Sequence, residues 1–323
     1  MAVLVDNTWN PANTYAVYLI GLDGRIVAST TATKPTSIST WPAASPIASL
    51  WSTYATTSNT GVYFRSGDTE VKLLTPNGNI RTVAHLEGGP SSRSFFAVSA
   101  DDKQIAVSVL DYSSPPTVRM RFYTQDLSGG PQQAVYRPSA NTFFWPIGWH
   151  DRRIVAQVGA PIPGTLYGAY PEAATNLLLI DPATSTAVTI GGPDCRPQPS
   201  LATPAGIVCA DSTGANFKVV GWDGRETSFS GHVGTGGLSL STDGRSVATS
   251  DQNGILIYSS IGSSVRAQTP NIGFPGESGW IDSTHFFYRV ADTTRQAIYD
   301  VNARSTTVLN LDGHLVARLP GGL

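Results

Sequence analysis

The feature that most constrains the fold of this chain is a β-hairpin that recurs seven times along its 323 residues. Each copy has a short run of apolar and β-branched residues, a turn, and a second run rich in Thr, Val and polar residues, which is typical of two paired strands. The Asp-Gly and Asn-Gly pairs at 23–24, 77–78 and 223–224 favour tight hairpin turns, because both positions tolerate positive φ. The seven copies begin at Val17, Val71, Arg121, Leu177, Lys218, Ile255 and Ala297.

A second hairpin alternates with the first. It opens on a Gly- or aromatic-led segment, passes through a polar turn and continues into an apolar strand, with clear copies from Phe95, Phe144, Gly237 and Ser278 and looser ones from Ile47 and Pro199. The two hairpins together make a four-stranded unit. Successive copies of the first hairpin start about 47 residues apart on average, which is the period of a β-propeller blade.

The residues left over at the two ends of the chain amount to one further period. Residues 2–5 (AVLV) and 313–320 (GHLVARLP) are predicted to supply the two inner strands of blade 1 and to close the ring, which removes a free sheet edge. The fold class is therefore predicted as all-β, a single seven-bladed propeller over 1–323 with four-stranded antiparallel blades. The later blades are expected at 47–88, 94–138, 143–192, 197–232, 236–270 and 276–311. A two-domain β-sandwich is the alternative, although sandwiches need no fixed period.

The inner hairpin SLSTDGRSVATS, residues 239–250, resembles the W-S-P-D-G-K-x-I-A repeat of TolB-like and other WD40-like bacterial propellers. SADDKQIAVS from Ser99 is a weaker copy, and Trp149 and Trp280 approximate the Trp position of the repeat. Thr242 stands where the family has Pro. The resemblance covers the repeat pattern of nearly the whole chain and implies a fold and a bacterial origin, but not a function, because such propellers host binding, scaffolding and enzymes alike.

Composition excludes some classes of partner. The net charge is −2, and the 17 Arg and 4 Lys are scattered singly, so the chain lacks the basic patch that nucleic acid requires. No apolar run reaches the roughly 18 residues that span a bilayer, so membrane insertion of this segment is not expected. We expect a monomer.

The two cysteines, Cys195 and Cys209, lie 14 residues apart without a CxxC motif. This spacing leaves a loop-closing disulfide or two buried thiols. If residues 203–206 form a hairpin turn, residue 209 faces about 200, and Cys195 must curl back to reach it. A disulfide predicts an extracytoplasmic location, and a chain that opens directly on a strand suggests a secreted or exported domain of an anchored protein.

No catalytic signature occurs in the chain: it has no G-x-S-x-G elbow, HExxH helix, Walker loop or EF-hand loop. The five histidines, placed on the blade scheme, do not converge, so no metal and no cofactor is expected. The rival hypothesis is a hydrolase or lyase at the mouth of the central channel, using Asp194, Arg196 and Arg93. A third is a purely structural scaffold within a longer membrane protein.

The long connections between strands predict the working face, because long ordered loops commonly carry function. Aromatic and Arg side chains on such loops bury a large area at a small entropic cost. We therefore predict a non-catalytic propeller that binds a protein, peptide or glycan on this face. The candidate binding residues are Trp9, Trp41, Arg93, Tyr112, Tyr167, Tyr170, Arg196, His232 and Phe274.

Overall fold

The computed structural model describes residues 1–6, 13–35, 55–114, 117–136, 143–159, 174–192, 195–197, 201–211, 216–231, 238–251, 254–260, 264–267, 278–290 and 295–323. These residues form seven four-stranded antiparallel sheets, which are the blades of a β-propeller. The described residues contain no helix that is long and apolar enough to cross a membrane.

In each blade the strands follow one another outward from the central channel. Blade 1 differs from the others in that its strands come from both ends of the chain. In this blade β28 (His314–Arg318) is innermost, followed by β1 (Ala2–Val5), β2 (Thr14–Ile20) and β3 (Ile26–Thr33). Blade 2 contains β4 (Ala55–Thr57), β5 (Val62–Ser66), β6 (Glu70–Leu74) and β7 (Ile80–His85). Blade 3 contains β8 (Ser92–Val98), β9 (Gln104–Ser114), β10 (Thr117–Asp126) and β11 (Gln133–Ala134).

The remaining four blades have the same order. Blade 4 contains β12 (Phe143–His150), β13 (Arg153–Gly159), β14 (Ala174–Asp181) and β15 (Thr186–Ile190). Blade 5 contains β16 (Arg196–Pro197), β17 (Ile207–Ala210), β18 (Asn216–Val220) and β19 (Glu226–Ser230). Blade 6 contains β20 (Leu238–Leu240), β21 (Ser246–Asp251), β22 (Gly254–Ser259) and β23 (Ser264–Ala267), and blade 7 contains β24 (Gly279–Trp280), β25 (His285–Arg289), β26 (Gln296–Asp300) and β27 (Ser305–Val308).

The predicted ring closure is confirmed. Strand β1 pairs with β2 on one side and with β28 on the other, so that Val3 lies opposite both Leu19 and Ala317. The N-terminal strand is thus hydrogen-bonded on both edges. The two-domain sandwich is excluded, because one set of blades contains both ends of the chain.

The hydrophobic core is divided into clusters, each lying between two neighbouring blades. Between blades 1 and 2, Leu19 packs in the same cluster as Phe64. Further clusters lie between each following pair of blades, and the last one joins Leu4 and Ile20 of blade 1 to Phe287 of blade 7. Because apolar burial drives folding, each blade is stabilised by both of its neighbours, and the ring has no uncovered sheet face within the described residues.

Two buried tryptophans hydrogen-bond neighbouring blades at their innermost strands. Trp149 Nε1 donates to the Ala97 carbonyl oxygen of blade 3 at 3.1 Å, and Trp280 Nε1 donates to the Ser239 carbonyl oxygen of blade 6 at 3.0 Å. Both indoles are almost fully buried. The two residues that approximate the Trp position of the repeat therefore occupy equivalent places and link one blade to the blade before it.

Candidate functional site

The propeller has two faces of different construction. On the turn face lie the connections from the first to the second strand and from the third to the fourth strand of each blade. In blade 2, the connection from the first to the second strand spans only residues 58–61. At the loop face lie the strand ends that are joined from blade to blade and from the second to the third strand of a blade, such as the end of β3 and the start of β4, or the end of β13 and the start of β14. The long connections of the sequence therefore start and end on the loop face.

Most aspartates of the turn face hold their own turns. In each case the carboxylate accepts the backbone N–H two residues further on, at 2.7 to 3.3 Å. This is the Asx-turn arrangement, in which a side chain replaces a backbone acceptor. These carboxylates have a structural role that accounts for their position; they are Asp23, Asp101, Asp181, Asp223, Asp243, Asp282 and Asp300.

The repeat motif has a physical basis in two of these turns. In blade 6 the Ser241 hydroxyl donates to Asp243 Oδ1 at 2.7 Å and accepts the Ser246 N–H at 3.0 Å. In blade 3 the Ser99 hydroxyl makes the same pair of contacts, with Asp101 Oδ1 at 2.8 Å and the Gln104 N–H at 2.9 Å. The hydrogen bond from Ser99 holds the pKa of Asp101 below its usual value. The Ser-x-Asp pattern is thus a turn motif.

Residues 319–323 lie across the centre of the turn face. Leu319 exchanges two backbone hydrogen bonds of 2.9 Å with Met1 in blade 1. The Gly321 N–H donates to the Ser58 carbonyl oxygen of blade 2 at 2.8 Å, and the Leu323 N–H donates to the Trp149 carbonyl oxygen of blade 4 at 2.8 Å. The segment, here called the cross-strap, therefore connects the inner ends of blades 1, 2 and 4.

Arg318, immediately before the cross-strap, extends across the central channel. It lies on the innermost strand of blade 1, yet its Nη2 donates to the carbonyl oxygens of Leu201 at 3.2 Å and Ala202 at 2.9 Å, in blade 5. Blades 1 and 5 are not neighbours, so this contact passes through the channel. Only 7% of the surface of an exposed arginine residue remains accessible, and desolvation lowers the pKa of Arg318 to about 10. Sequence reasoning missed this residue.

Two arginines, Arg65 and Arg93, form a cluster towards the loop face between blades 2 and 3. Arg65 donates from Nη1 to the Asp68 carbonyl oxygen at 2.7 Å and from Nη2 to the Ser94 carbonyl oxygen at 2.5 Å. The guanidinium of Arg65 also lies 5.9 Å from the centre of the Phe96 ring. Arg93 Nη1 lies 3.8 Å from Asp68 Oδ1. The cluster places two buried cations against one partly buried carboxylate.

Arg93 is the one candidate binding residue whose side chain the structure describes, and it is buried rather than exposed on a rim. Arg93 lies on β8, the first strand of blade 3, and β8 packs against both blade 2 and blade 4, so the guanidinium is covered. Tyr112 lies in β9 and Arg196 in β16, but their side chains fall outside the described residues. Trp9, Trp41, Tyr167, Tyr170, His232 and Phe274 lie outside the described residues, as does Asp194.

The two cysteines form a disulfide, with their Cα atoms 4.9 Å apart. A tight bridge links Thr203 to Gly206, but Pro197 lies opposite Cys209, so the pairing slips by three residues within this hairpin. The slip brings Cys195 within reach of Cys209. The expectation that residue 209 faces residue 200 is wrong for this reason.

Two of the described histidines, His150 and His285, have side-chain partners of their own. His285 Nδ1 lies 3.0 Å from Asp282, and its Nε2 lies 3.6 Å from Asp300. His150 contacts the Leu323 backbone oxygen through Nδ1, and its ring centre lies 5.7 Å from that of Trp222, with the two rings tilted by 33°. Among the described residues no group of three or more His, Cys, Asp or Glu side chains is placed to hold a metal ion.

The fold and the face geometry define a seven-bladed β-propeller, and several solved structures are similar to it. No protein-family model and no curated protein sequence matches the chain. An oligogalacturonate lyase in complex with manganese has a TM-score of 0.55 at 10% identity, over 88% of this chain and 81% of that one. Dipeptidyl peptidase 4 of Porphyromonas gingivalis has a TM-score of 0.50 at 10% identity, over 78% of this chain and 44% of that one.

A TolB protein of Agrobacterium tumefaciens is also similar, with a TM-score of 0.38 at 12% identity over 99% of this chain and 94% of that one. At 10% identity, the similarities to the lyase and to the peptidase show the fold alone. The resemblance of the repeat to TolB-like and WD40-like sequences has no support from a family match and stays a prediction.

Proposed function

We propose that this protein is a non-catalytic propeller that binds a protein, peptide or glycan on its loop face. The observation that carries the proposal is the difference between the two faces. On the turn face, aspartates hold short turns, and the cross-strap lies over the centre. The longest connections of the chain start and end on the loop face, and their sequences contain large aromatic residues.

The aromatic residues of those connections suit recognition of a partner. Tyr167 and Tyr170 lie in the 160–173 connection, and Trp9, Trp41 and Phe274 lie in three other loop-face connections. Tyr and Trp bury a large area with few rotatable bonds and stack on sugar rings and peptide groups. The disulfide supports an extracytoplasmic location, because such bonds persist outside the reducing cytosol.

The test is a double variant of the longest loop. Tyr167→Ala with Tyr170→Ala is expected to abolish capture of a partner from glycan arrays and surface-protein extracts. The melting temperature should stay within a few degrees, since exposed loop changes usually cost under about 0.5 kcal/mol. The matched control is Arg25→Ala on the turn face, where the side chain is 87% exposed.

Two results would contradict the proposal. The double variant could bind every captured partner as the wild type does, or it could lose much of its stability, which would make these tyrosines part of the core. Equal loss of binding in Arg25→Ala would move the binding surface to the turn face.

The second candidate function is a hydrolase or lyase acting at the mouth of the channel. It is favoured by Arg93, a buried arginine at the loop-face end of the innermost strand of blade 3, whose guanidinium could bind an anionic substrate. The similarly folded oligogalacturonate lyase suggests the assay: incubation with oligogalacturonate, with and without manganese. Cleavage that is lost on substitution of Arg93 by Met would replace the binding proposal, and absence of any turnover would remove this candidate substrate.

A further inference from the structure

The last three residues of the cross-strap, Gly321 to Leu323, are bound to the inner rim of the turn face through their backbone. The Gly321 N–H donates to the Ser58 carbonyl oxygen of blade 2, and the Leu323 N–H donates to the Trp149 carbonyl oxygen of blade 4, both at 2.8 Å. Both acceptors are main-chain carbonyl groups at the inner ends of blades. These hydrogen bonds therefore recognise the backbone of a peptide segment.

The side chain of Leu323 occupies a socket at the inner end of blade 4. It packs against the apolar cluster between blades 4 and 5, which includes Trp222. Gly148 lines the socket: a Cβ added there would lie 2.6 Å from Leu323 Cδ1, and its three nearest atoms all belong to Leu323. The ring of His150 contacts the Leu323 backbone oxygen through Nδ1, which is the donor because a backbone oxygen accepts. The socket thus takes one large apolar side chain and provides a donor for the oxygen of the same residue.

The two positions before Leu323 require glycine. A Cβ added at Gly321 would overlap the backbone of Thr57 in blade 2, so a side chain has no room there. Gly322 has a φ of 98°, a left-handed conformation that glycine adopts at little cost. The rim and the socket together therefore select a Gly-Gly pair followed by a large apolar residue.

The seven sheets form without these three residues. The last strand of the ring, β28, ends at Arg318, and residues 321–323 lie outside every strand that the structure describes. Leu323 is a partly buried member at the margin of its apolar cluster. A segment that completes no sheet, yet has a matched backbone and side-chain site, has the properties of a ligand that is joined to its receptor by a tether.

We propose that the inner rim of the turn face is a peptide-binding site for Gly-Gly followed by a large apolar residue, and that residues 321–323 occupy it as a tethered ligand. A separate peptide of this chemistry binds only when the cross-strap has left the socket. The site lies on the face opposite to the loop face, and it does not rest on the proposed function.

The test uses the full chain with Leu323→Asp, which empties the socket because a charge is costly to bury among apolar groups. The probe is a synthetic peptide of residues 318–323, Arg-Leu-Pro-Gly-Gly-Leu, titrated by calorimetry as the free acid and as the amide. A short tether gives an effective concentration in the mM range, so a docked strap implies a peptide Kd of about 1 mM or tighter. We expect saturable binding of this strength to Leu323→Asp. The wild type should bind at least about tenfold more weakly, because its own strap competes.

Three controls assign the binding to the socket. A peptide that ends in Asp instead of Leu should bind at least about tenfold more weakly, for the same reason that the variant empties the socket. Gly148→Ala added to Leu323→Asp should abolish binding, because the new Cβ takes the space of the leucine side chain. Val188→Asp makes a similar change at a position that is 61% exposed, and it should match the wild type.

The proposal is overturned if neither form of the peptide binds Leu323→Asp saturably at concentrations up to about 5 mM. Equal binding to the wild type and to Leu323→Asp would overturn it too, as would binding that Gly148→Ala leaves unchanged. Should Leu323→Asp fail to fold, Leu323→Ala replaces it in the same titrations. Failure of both variants to fold would show that the segment is part of the fold rather than a tethered ligand.

Discussion

At the scale of single residues, two neighbouring glycines after β15 differ in a way that isolates the packing of the disulfide. Both have positive φ, 93° at Gly191 and 67° at Gly192. A Cβ added at Gly191 would overlap the Cys195 Sγ, whereas a Cβ added at Gly192 would meet nothing within 4 Å. The pair therefore separates the cost of backbone conformation from the cost of crowding the cysteines.

Gly191→Ala should lower the free energy of unfolding far more than Gly192→Ala. Gly192→Ala is expected to cost about 1 kcal/mol, the penalty of the left-handed conformation. Gly191→Ala adds the overlap and hinders the disulfide, which for a loop of this length stabilises by roughly 3 kcal/mol. Urea denaturation measures both, and free-thiol titration should find reactive cysteine in Gly191→Ala alone. Equal costs would show that the disulfide tolerates the extra carbon.

At the scale of the strand and turn, the hydrogen bonds of the Ser-x-Asp turns predict how much a serine hydroxyl contributes to stability. Ser241 is fully buried and its hydroxyl serves both Asp243 and the Ser246 N–H. Ser241→Ala should cost about 1 to 3 kcal/mol in urea denaturation, because the partly buried Ser246 N–H loses its acceptor. Arg245→Ala, at an exposed position of the same turn, is the control and should change stability by less than about 0.5 kcal/mol. Equal effects would mean that water replaces the hydroxyl.

The turn between β24 and β25 of blade 7 predicts that the stability of the protein depends on pH through Asp282. Burial acts to raise the pKa of Asp282, but hydrogen bonds from the Thr284 and His285 N–H groups and from the His285 ring outweigh it, so the pKa lies below its ordinary value. A carboxyl group whose pKa is lowered on folding adds stability above its unfolded pKa, and this stability is lost as the pH falls through the folded value.

Asp282→Asn should therefore be less stable than the wild type at neutral pH. The difference should narrow as the pH falls below about 4, where the wild-type carboxylate also becomes neutral. Denaturation midpoints measured from pH 7 down to pH 3 test this. A difference that stays constant over that range would show that the charge of Asp282 does not contribute.

Sequence periodicity predicted the strands and hairpins well but did not predict which side chains line the central channel, and both outcomes have a physical reason. Hairpins such as the one at Asp223 and Gly224 are encoded by adjacent residues, so their turns can be read locally. Arg318 gives no such signal, because its partners Leu201 and Ala202 lie more than a hundred residues away. Arg93 was expected on an exposed rim, but the first strand of a blade is covered on both sides, and a single arginine in a strand does not reveal this.

At the scale of the whole molecule, the ring depends on blade 1, which is assembled from both ends of the chain. Leu4 of β1 is fully buried in the cluster that joins blades 7 and 1. Leu4→Ala should cost about 2 to 5 kcal/mol, through lost burial and the cavity left behind. Ile26→Ala, at a position that is 52% exposed in the same blade, is the control. Thermal denaturation that left both variants alike would show that the closure carries little of the stability.

The backbone contact between Met1 and Leu319 has a consequence for chain order. These residues exchange hydrogen bonds within one blade, although they lie 318 positions apart in sequence. A linker long enough to return from Leu323, at blade 4, to Met1, in blade 1, would leave the blade contacts intact. A circularly permuted chain could then begin at Gly224, in an exposed turn where an added Cβ would meet nothing within 4 Å. Each inter-blade cluster would form from the same pairs of strands, so the starting point along the ring is interchangeable, and any blade can be the one that closes it.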